Sequence, residues 1–546
     1  MWQGQRLDRF ADWLVLASGR QRWFAAFAAG IVSALATPPL DLFPVLFLTL
    51  PVLVWIMDGV QSDGRSGIFP NFLAAFAPGW WFGFGYCLAS LWWIGNSLLV
   101  EAESFAWALP LAILGVPAGL AVFFGFGTAI ARALWFEGPF RVLALASGFA
   151  ISEYLRGEIL TGFPWNLLGQ AAMPFPVAMQ VISVLGLYGV NALAILVFSI
   201  PLTVLPKGNS GRLSGRILLV LCVAVIGGQI GYGFWRLGNA GQSIELRGGE
   251  PPLRVRVVQP DIPQREKFRP EKEAEFMAEY LRLSSKPEKV DYVIWPESAF
   301  PFLLTDRRDM LAAIARMLPD GTELITGGLR AEPGIGGDPY GNVYNSVYLI
   351  NDAGEIYDAA DKMHLVPFGE YLPLQSWLEA LGLRQLTNVR GGFEAASERR
   401  LMQGARGGPF IALVCYEIIF PGEIRPLRPD DRYRAKWLLN LTNDAWFGNT
   451  PGPYQHLRLA ELRAVEEGLP LVRAANTGIS VVTDAYGREV VRIGLSQRGS
   501  VDAEVPQQTV ITTIARYGNL PFLLLAGLLV LLSLVFKWLN YRRDRP

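Results

Sequence analysis

Cys415 stands at the end of an apolar run in PFIALVCYEIIFPGE (409–423), with a carboxylate, Glu417, two residues on. A neutral thiol is a modest nucleophile; it attacks well only when a base takes its proton or its pKa is lowered. Histidine is the usual base, and the chain has only two. His456 lies in the charged helical stretch YQHLRLAELR and reads as facing solvent or a neighbouring carboxylate. His364, in KMHLVPFGE, is a lone histidine of the kind that more often packs than reacts. A carboxylate can do the same work if burial lifts its pKa toward neutrality. Glu297 has that setting, directly after the apolar stretch DYVIWP and so at a strand's carboxyl end, where open α/β sheets place their sites. Lys362 precedes HLVPFGEY, which closes on a second carboxylate, Glu370. A buried lysine there can stabilise a developing oxyanion. Each residue also has a plain alternative reading: a buried small hydrophobe for the cysteine, a turn carboxylate for Glu297, a surface lysine for Lys362.

The elements that must position these residues read as α/β. Strand candidates lie at 253–259, 291–297, 323–329, 343–351, 409–417 and 436–444, β-branched and aromatic and bounded by Gly, Pro and Asp. Stretches 270–286, 306–318 and 454–468 carry helical period. GIGGD (334–338) and RGGFEAASE (390–398) read as loops. Together these make 250–505 one domain long enough to bury a full core.

The remainder belongs to lipid. Hydrophobic residues make up 51% of the 546 and charged residues 18%, against roughly 25% charged in soluble domains. Apolar runs at about 22–38, 42–58, 71–97, 105–131, 140–155, 178–205 and 217–235 precede the α/β domain, and an eighth at about 518–538 follows it. Each nears the roughly 20 residues that a crossing needs. The fifth run is the weakest, because Glu153 and Arg156 crowd its end. The expected organisation is a membrane domain of about seven helices over 1–240, the inserted domain over 250–505, and a final helix with a basic tail over 515–546. Arg6, Arg9, Arg20 and Arg22, the loop residues Arg65, Arg132, Arg141, Lys207, Arg212 and Arg216, and the tail residues Lys537, Arg542, Arg543 and Arg545 all fall on one side of that arrangement. Lys and Arg mark the cytoplasmic side, so both termini are expected there and the α/β domain outside. The first residues, MWQGQRLDRFADW, do not read as a cleavable signal. Net charge is zero, which leaves no basic field for nucleic acid. Three cysteines without repeated spacing make neither a disulfide framework nor a zinc site, and Cys87 and Cys222 sit in membrane-like runs. No metal or cofactor is expected.

VIWPES, DKMHLVPFGEY and LVCYEIIFP, in that order within one α/β domain, resemble the nitrilase superfamily of carbon–nitrogen hydrolases. The resemblance implies an α-β-β-α sandwich and a Glu–Lys–Cys triad: Glu297 as general base, Lys362 as oxyanion stabiliser, Cys415 as nucleophile, with Glu370 helping to hold the site. TGFPWNLLGQ (161–170), CYEIIFPGEI and TNDAWFG (442–448) extend the likeness over the whole chain to the membrane-bound apolipoprotein N-acyltransferase family. That likeness implies that Tyr416, Glu417, Asn443 and Trp446 belong to the pocket or its gate. It implies a phospholipid donor giving its sn-1 acyl chain, a diacylglyceryl-cysteine on an apolipoprotein as acceptor, no cofactor, and a periplasmic domain on the bacterial inner membrane. Trp446 and Phe447, or the loop around 391–393, are candidates for a lid that excludes water. One departure stands out: where the family usually shows Gln-Gly-Asn-Ile, this chain has Gln259-Pro260-Asp261-Ile262. Two rival readings keep some of these features. A membrane-anchored amidase would retain the triad with water as acceptor. A transporter or scaffold with an inactive domain would carry ionisable residues inside its spans, which here are nearly free of them away from their edges.

Overall fold

The computed structural model describes residues 2–60, 68–204, 212–240, 252–334, 340–380, 385–386, 392–424, 431 and 433–543. The chain divides into two compact units: 1–95 with 107–239 and 513–546, and 96–106 with 240–512.

The first unit is helical. Five helices are long and apolar enough to cross a membrane: Asn71–Val100, Leu111–Leu134, Ile182–Thr203, Leu213–Gly238 and Leu520–Arg543. Three other expected spans form shorter helices, Gly19–Ser33, Leu46–Asp58 and Val142–Glu158. Small residues let these helices approach closely, the usual device where lipid removes the hydrophobic drive between helices. A Cβ at Gly30 would lie 2.0 Å from the Phe82 carbonyl oxygen, and one at Gly148 would lie 2.1 Å from that of Gly127. Charge stands at the span edge as expected, in the last turns of Val142–Glu158, but it is not solvated there. Glu153 and Arg156 are both buried, paired at 3.3 Å. Arg156 also donates to the carbonyls of Phe163 and Trp165 at 3.0 and 2.9 Å, and Tyr86 donates to that of Asn166 at 3.0 Å. Their task is internal: they satisfy the backbone of the non-helical stretch 159–167, which no regular ladder serves.

The second unit holds two six-stranded sheets among its described residues. The first runs β12 (Gly499–Val505), β1 (Leu253–Gln259), β2 (Tyr292–Ile294), β3 (Glu323–Pro333), β4 (Tyr340–Ile350), β5 (Ile356–Asp361). The second runs β11 (Glu489–Ile493), β10 (Ser480–Thr483), β9 (Leu471–Ala475), β8 (Trp437–Thr442), β7 (Phe410–Val414), β6 (Leu401–Met402). In each sheet three parallel strands adjoin each other, β1-β2-β3 and β7-β8-β9. Strands covered on both faces read as continuous apolar runs, and β7, β8 and β9 are buried at every residue. Helices Glu273–Ser284 and Arg308–Met317 cover the first sheet, setting Phe276, Tyr280 and Ile314 against Val293, Trp295 and Leu324. Helix Gly452–Glu467 sets Leu457 on Ile479 and Val481 of the second. The inner faces meet where Tyr292 lies 6.1 Å from Trp437, ring to ring. This is the expected helix–sheet–sheet–helix layering.

The expected strands that carry the site end sooner than their composition suggests, β8 at Thr442 among them. β2 stops at Ile294 and β7 at Val414; Cys415 opens a 3-10 turn, Cys415–Ile419, with φ of +53°. β5, β6 and β9 to β12 were not anticipated as strands. Of the two expected loops, 335–338 and 390–391 lie outside the described residues.

Candidate active site

The three chemistry-bearing residues sit just past strand carboxyl ends. Glu297 follows β2 by three residues, Lys362 follows β5 directly, and Cys415 follows β7 directly. Register decides what each meets. Val414 pairs with Leu441 across β7 and β8, so Cys415 and Thr442 emerge side by side. Ser346 pairs with Asp361 across β4 and β5, and the Lys362 N–H continues the ladder onto the Asn345 carbonyl at 2.8 Å. The Glu297 backbone packs so closely on β3 that a Cβ at Gly327 would lie 2.6 Å from its Cα; only glycine permits that approach.

Asn345 is the hinge of the cluster. Its Nδ2 donates to Glu297 Oε1 at 2.8 Å and to Glu370 Oε1 at 3.1 Å. Glu370 Oε2 pairs with Lys362 Nζ at 2.8 Å and accepts the Val366 N–H at 2.9 Å. Glu297, Lys362, Glu370 and Cys415 are all buried. Glu297 Oε2 has no hydrogen-bond partner among the described residues, so a proton has a place to go.

Electrostatics sorts the protons. Burial is the largest influence on Glu297 and raises its pKa; Glu370 adds to that, while Lys362 and the Asn345 hydrogen bond oppose it. Burial and the Glu297 charge push the Cys415 thiol up, with Lys362 and Thr442 opposing. Burial lowers the pKa of Lys362, but the carboxylates of Glu370 and Glu297 outweigh it and raise the pKa. The resting site is therefore a neutral thiol, a lysinium and a carboxylate with elevated proton affinity: a base poised to take the thiol proton, not a preformed thiolate.

Glu417 is a structural anchor. Its Oε1 accepts the Met363 and His364 N–H groups at 2.9 and 3.1 Å and Arg399 Nη2 at 2.8 Å, and its Oε2 accepts the Val414 N–H at 2.7 Å. One buried carboxylate thus ties the segment after Lys362 to the turn that carries Cys415. Burial works against its charge, yet Arg399 and these donors hold its pKa below the ordinary value. The Tyr416 ring lies 6.0 Å from Lys362 Nζ and edge-on to Phe420. Asn443 donates to Gln264 Oε1 at 2.7 Å and accepts from Asn476 at 3.1 Å. Trp446 ends the short turn Asp444–Trp446 and stays partly exposed. Beside it the Phe447 carbonyl accepts from Asn96 at 2.9 Å. Of the loop around 391–393, residue 391 lies outside the described residues.

Neither histidine reaches the thiol as a base. His364 Nδ1 meets Glu423 at 2.7 Å, and its ring stacks on Phe420. His456 does not face solvent: it is buried, with Nδ1 2.9 Å from Asp444. Lys267 belongs to the site as well. Its Nζ is buried and donates to the Glu297 carbonyl at 3.2 Å, and burial brings its pKa down to about 8 against the pull of Glu297. A lysine in the charged stretch QREKFRPEKE carries no sequence signal of burial. At Pro260-Asp261, Asp261 adopts φ of +54°, and Asn476 bonds both the N–H and the carbonyl of Ile262 at 3.1 and 2.8 Å, so the turn is held from the second sheet. Among the described residues no three His, Cys, Asp or Glu side chains are grouped to hold a metal ion.

Residues 29–200 match the apolipoprotein N-acyltransferase N-terminal domain, and 254–515 match the carbon–nitrogen hydrolase family. The chain is 46% identical over 502 residues to an apolipoprotein N-acyltransferase of Agrobacterium fabrum, covering 91% of this chain and 92% of that one. It is 45% identical over 507 residues to one of Brucella suis, covering 92% of each. Among solved structures, an amidase from Nesterenkonia sp. AN1 is 18% identical, covering 47% of this chain and 93% of its own, with a TM-score of 0.34.

Proposed function

The chain belongs to the apolipoprotein N-acyltransferase family and is an acyltransferase of lipoprotein maturation, and we propose that Cys415 carries the acyl group between its two substrates as a thioester. The observation that supports this most directly is the cluster itself: a neutral buried thiol beside a carboxylate with one free oxygen and a lysinium. Glu297 takes the Cys415 proton on Oε2. The thiolate attacks the sn-1 ester carbonyl of a phospholipid. Lys362, with a backbone N–H beside Cys415, stabilises the oxyanion. The protonated Glu297 then gives its proton to the departing lysophospholipid oxygen, leaving the acyl thioester. The α-amine of the diacylglyceryl-cysteine attacks next, with Glu297 again as base. Splitting the transfer in two lets two bulky lipids use one pocket in turn.

Eight crossings fit the charge pattern: the five long helices and the three shorter ones at Gly19–Ser33, Leu46–Asp58 and Val142–Glu158. Both termini are then cytoplasmic and the catalytic unit periplasmic, at the leaflet that presents both substrates.

Intact-mass measurement of the purified protein after incubation with phospholipid alone tests the thioester. The expected result is a gain of one acyl chain, removed by hydroxylamine, mapped to the Cys415 peptide and absent from Cys415→Ala. A folded wild type that gains no such mass overturns the reading.

Lys267 makes a further, pH-dependent prediction. Its charge favours ionised Glu297, so Lys267→Met is expected to move the acidic limb of acylation upward. The loss is expected on the acidic side of the profile, where Glu297 is still titrating. Above about 8 Lys267 is itself neutral, so mutant and wild type should converge there. A loss that stays the same from pH 6 to 9 would mean a packing effect instead.

A further inference from the structure

Thr442 ends β8, is buried, and its hydroxyl has two acceptors within reach: Asp444 Oδ1 at 2.9 Å and Cys415 Sγ at 3.5 Å. A hydroxyl carries one proton and serves one of them at a time. While the thiol is neutral, the carboxylate is the stronger acceptor. Asp444 does not depend on that bond. His456 Nδ1 lies 2.9 Å from the same oxygen, and Arg473 Nη2 donates to the other at 2.7 Å. Arg473 in turn holds Asn440, whose Nδ2 donates to the Cys415 carbonyl at 3.1 Å. The whole group is buried and keeps the +53° turn of Cys415 beside Thr442.

We infer that Thr442 is a catalytic hydrogen-bond donor that turns from Asp444 to Cys415 Sγ as the thiol ionises, stabilising the thiolate in a site where water does not. The proposal rests on Cys415 being the nucleophile and deepens that reading. In the step, the S–H bond breaks, its proton forms an O–H bond on Glu297 Oε2, and the electron pair stays on sulfur. Thr442 only rotates about its C–O bond. When the thioester forms, sulfur is no longer an anion and the hydroxyl returns to Asp444. The bond is thus made chiefly to the charged species, the kind of differential interaction that accelerates a step. Three charged groups act on the sulfur: Glu297, Lys362 and Asp444. Asp444 is itself faced by Arg473 and His456.

The test is the pH dependence of Cys415 alkylation by iodoacetamide, read on the Cys415 peptide of the detergent-solubilised full chain. Cys87 and Cys222 are separate peptides. Thr442→Val removes the hydroxyl at constant shape. Its alkylation profile is expected to move up by about one to two pH units, the worth of one hydrogen bond to a charged group. Thr442→Ser should restore it. A Thr442→Val profile that overlays wild type overturns the proposal, as does a Thr442→Ser profile shifted as far as that of valine. If valine costs the thermal transition, Thr442→Ala carries the same comparison with a cavity in place of the methyl. Acyl-adduct formation by wild type is scored separately. An adduct with an unmoved alkylation profile defeats the Thr442 role alone, whereas a wild type without an adduct defeats the thioester reading beneath it.

Discussion

Glu297→Gln is expected to slow acyl-enzyme formation about 10³-fold, within the range assigned to a general base, while leaving the protein folded. Glutamine keeps the size of the side chain and an oxygen for Asn345 Nδ2, which now lies 2.8 Å from Oε1. What it loses is the ability to receive a proton at Oε2. The pH profile distinguishes this from misplacement. In wild type, acylation should rise with pH as Glu297 ionises, with a midpoint above the ordinary carboxylate value because burial outweighs Lys362. In Glu297→Gln that limb should vanish. Stability should move the other way. A carboxyl whose folded pKa is raised contributes stability fully present below its unfolded value, near 4.3, and lost as pH rises through the folded value. Once pH has passed that folded value, the ionised, buried Glu297 is a cost. Glu297→Gln should unfold at the wild-type temperature or above at pH 7, with no such advantage at pH 4. Wild-type acylation rates would sink the base assignment; slow acylation with a lowered midpoint would mark a damaged fold.

What the sequence shows of this site, and what it hides, follows from where each residue sits. Glu297 and Cys415 could be read because each interrupts an apolar strand at its end, and a charge or thiol there needs an explanation; Lys362 stands out through the apolar stretch HLVPFGEY that it precedes. β7 and β8, buried at every residue, show as apolar runs, and β1, β3 and β4 as β-branched and aromatic stretches. That reading failed for β9 to β12. LVRAA carries an arginine that is fully buried only because Asp444 and Asn440 meet it. EVVRI and GSVDAEV are edge segments with charge facing out. Arg473, Asp444 and His456 compensate one another across three elements, and no local pattern announces a partner 12 to 29 residues away. Lys267 and Glu153–Arg156 escaped for the same reason. Each looks like a surface or edge charge until the fold closes over it. The span count blurred because Val142–Glu158 is short and ends in that buried pair. Segment 96–106 begins within the apolar helix Asn71–Val100. It folds with the catalytic unit, where Asn96 donates to the Phe447 carbonyl and Arg265 to that of Leu99, contacts that leave no mark on composition.

Lys362→Met should have the next largest effect, and on two quantities at once. Removing an oxyanion donor costs about 10² to 10³ in rate. Removing one member of a buried ion pair also leaves the other uncompensated, at about 3 kcal/mol of stability, here the Glu370 carboxylate 2.8 Å away. Without the lysinium, Glu297 and Glu370 share Asn345 as two like charges. One of them should hold its proton to higher pH, shifting the acidic limb of acylation upward. The raised pKa of Lys362 implies stability that is full below its unfolded value near 10.4 and lost only above it, so its own contribution is level between pH 6 and 9. The stability deficit of Lys362→Met should therefore grow with pH only as the carboxyl that holds its proton ionises, while the rate deficit should shrink through the same ionisation. Adding Glu370→Gln separates the two effects. The double variant should recover much of the stability, because the orphaned charge is gone, and little of the rate, because nothing replaces the cation at the oxyanion. Lys362→Arg should fall between: its charge persists, but a planar guanidinium cannot occupy the point position of an ammonium. Rate and stability rising together in the double variant would place Lys362 among the residues that hold the fold and remove it from the reaction.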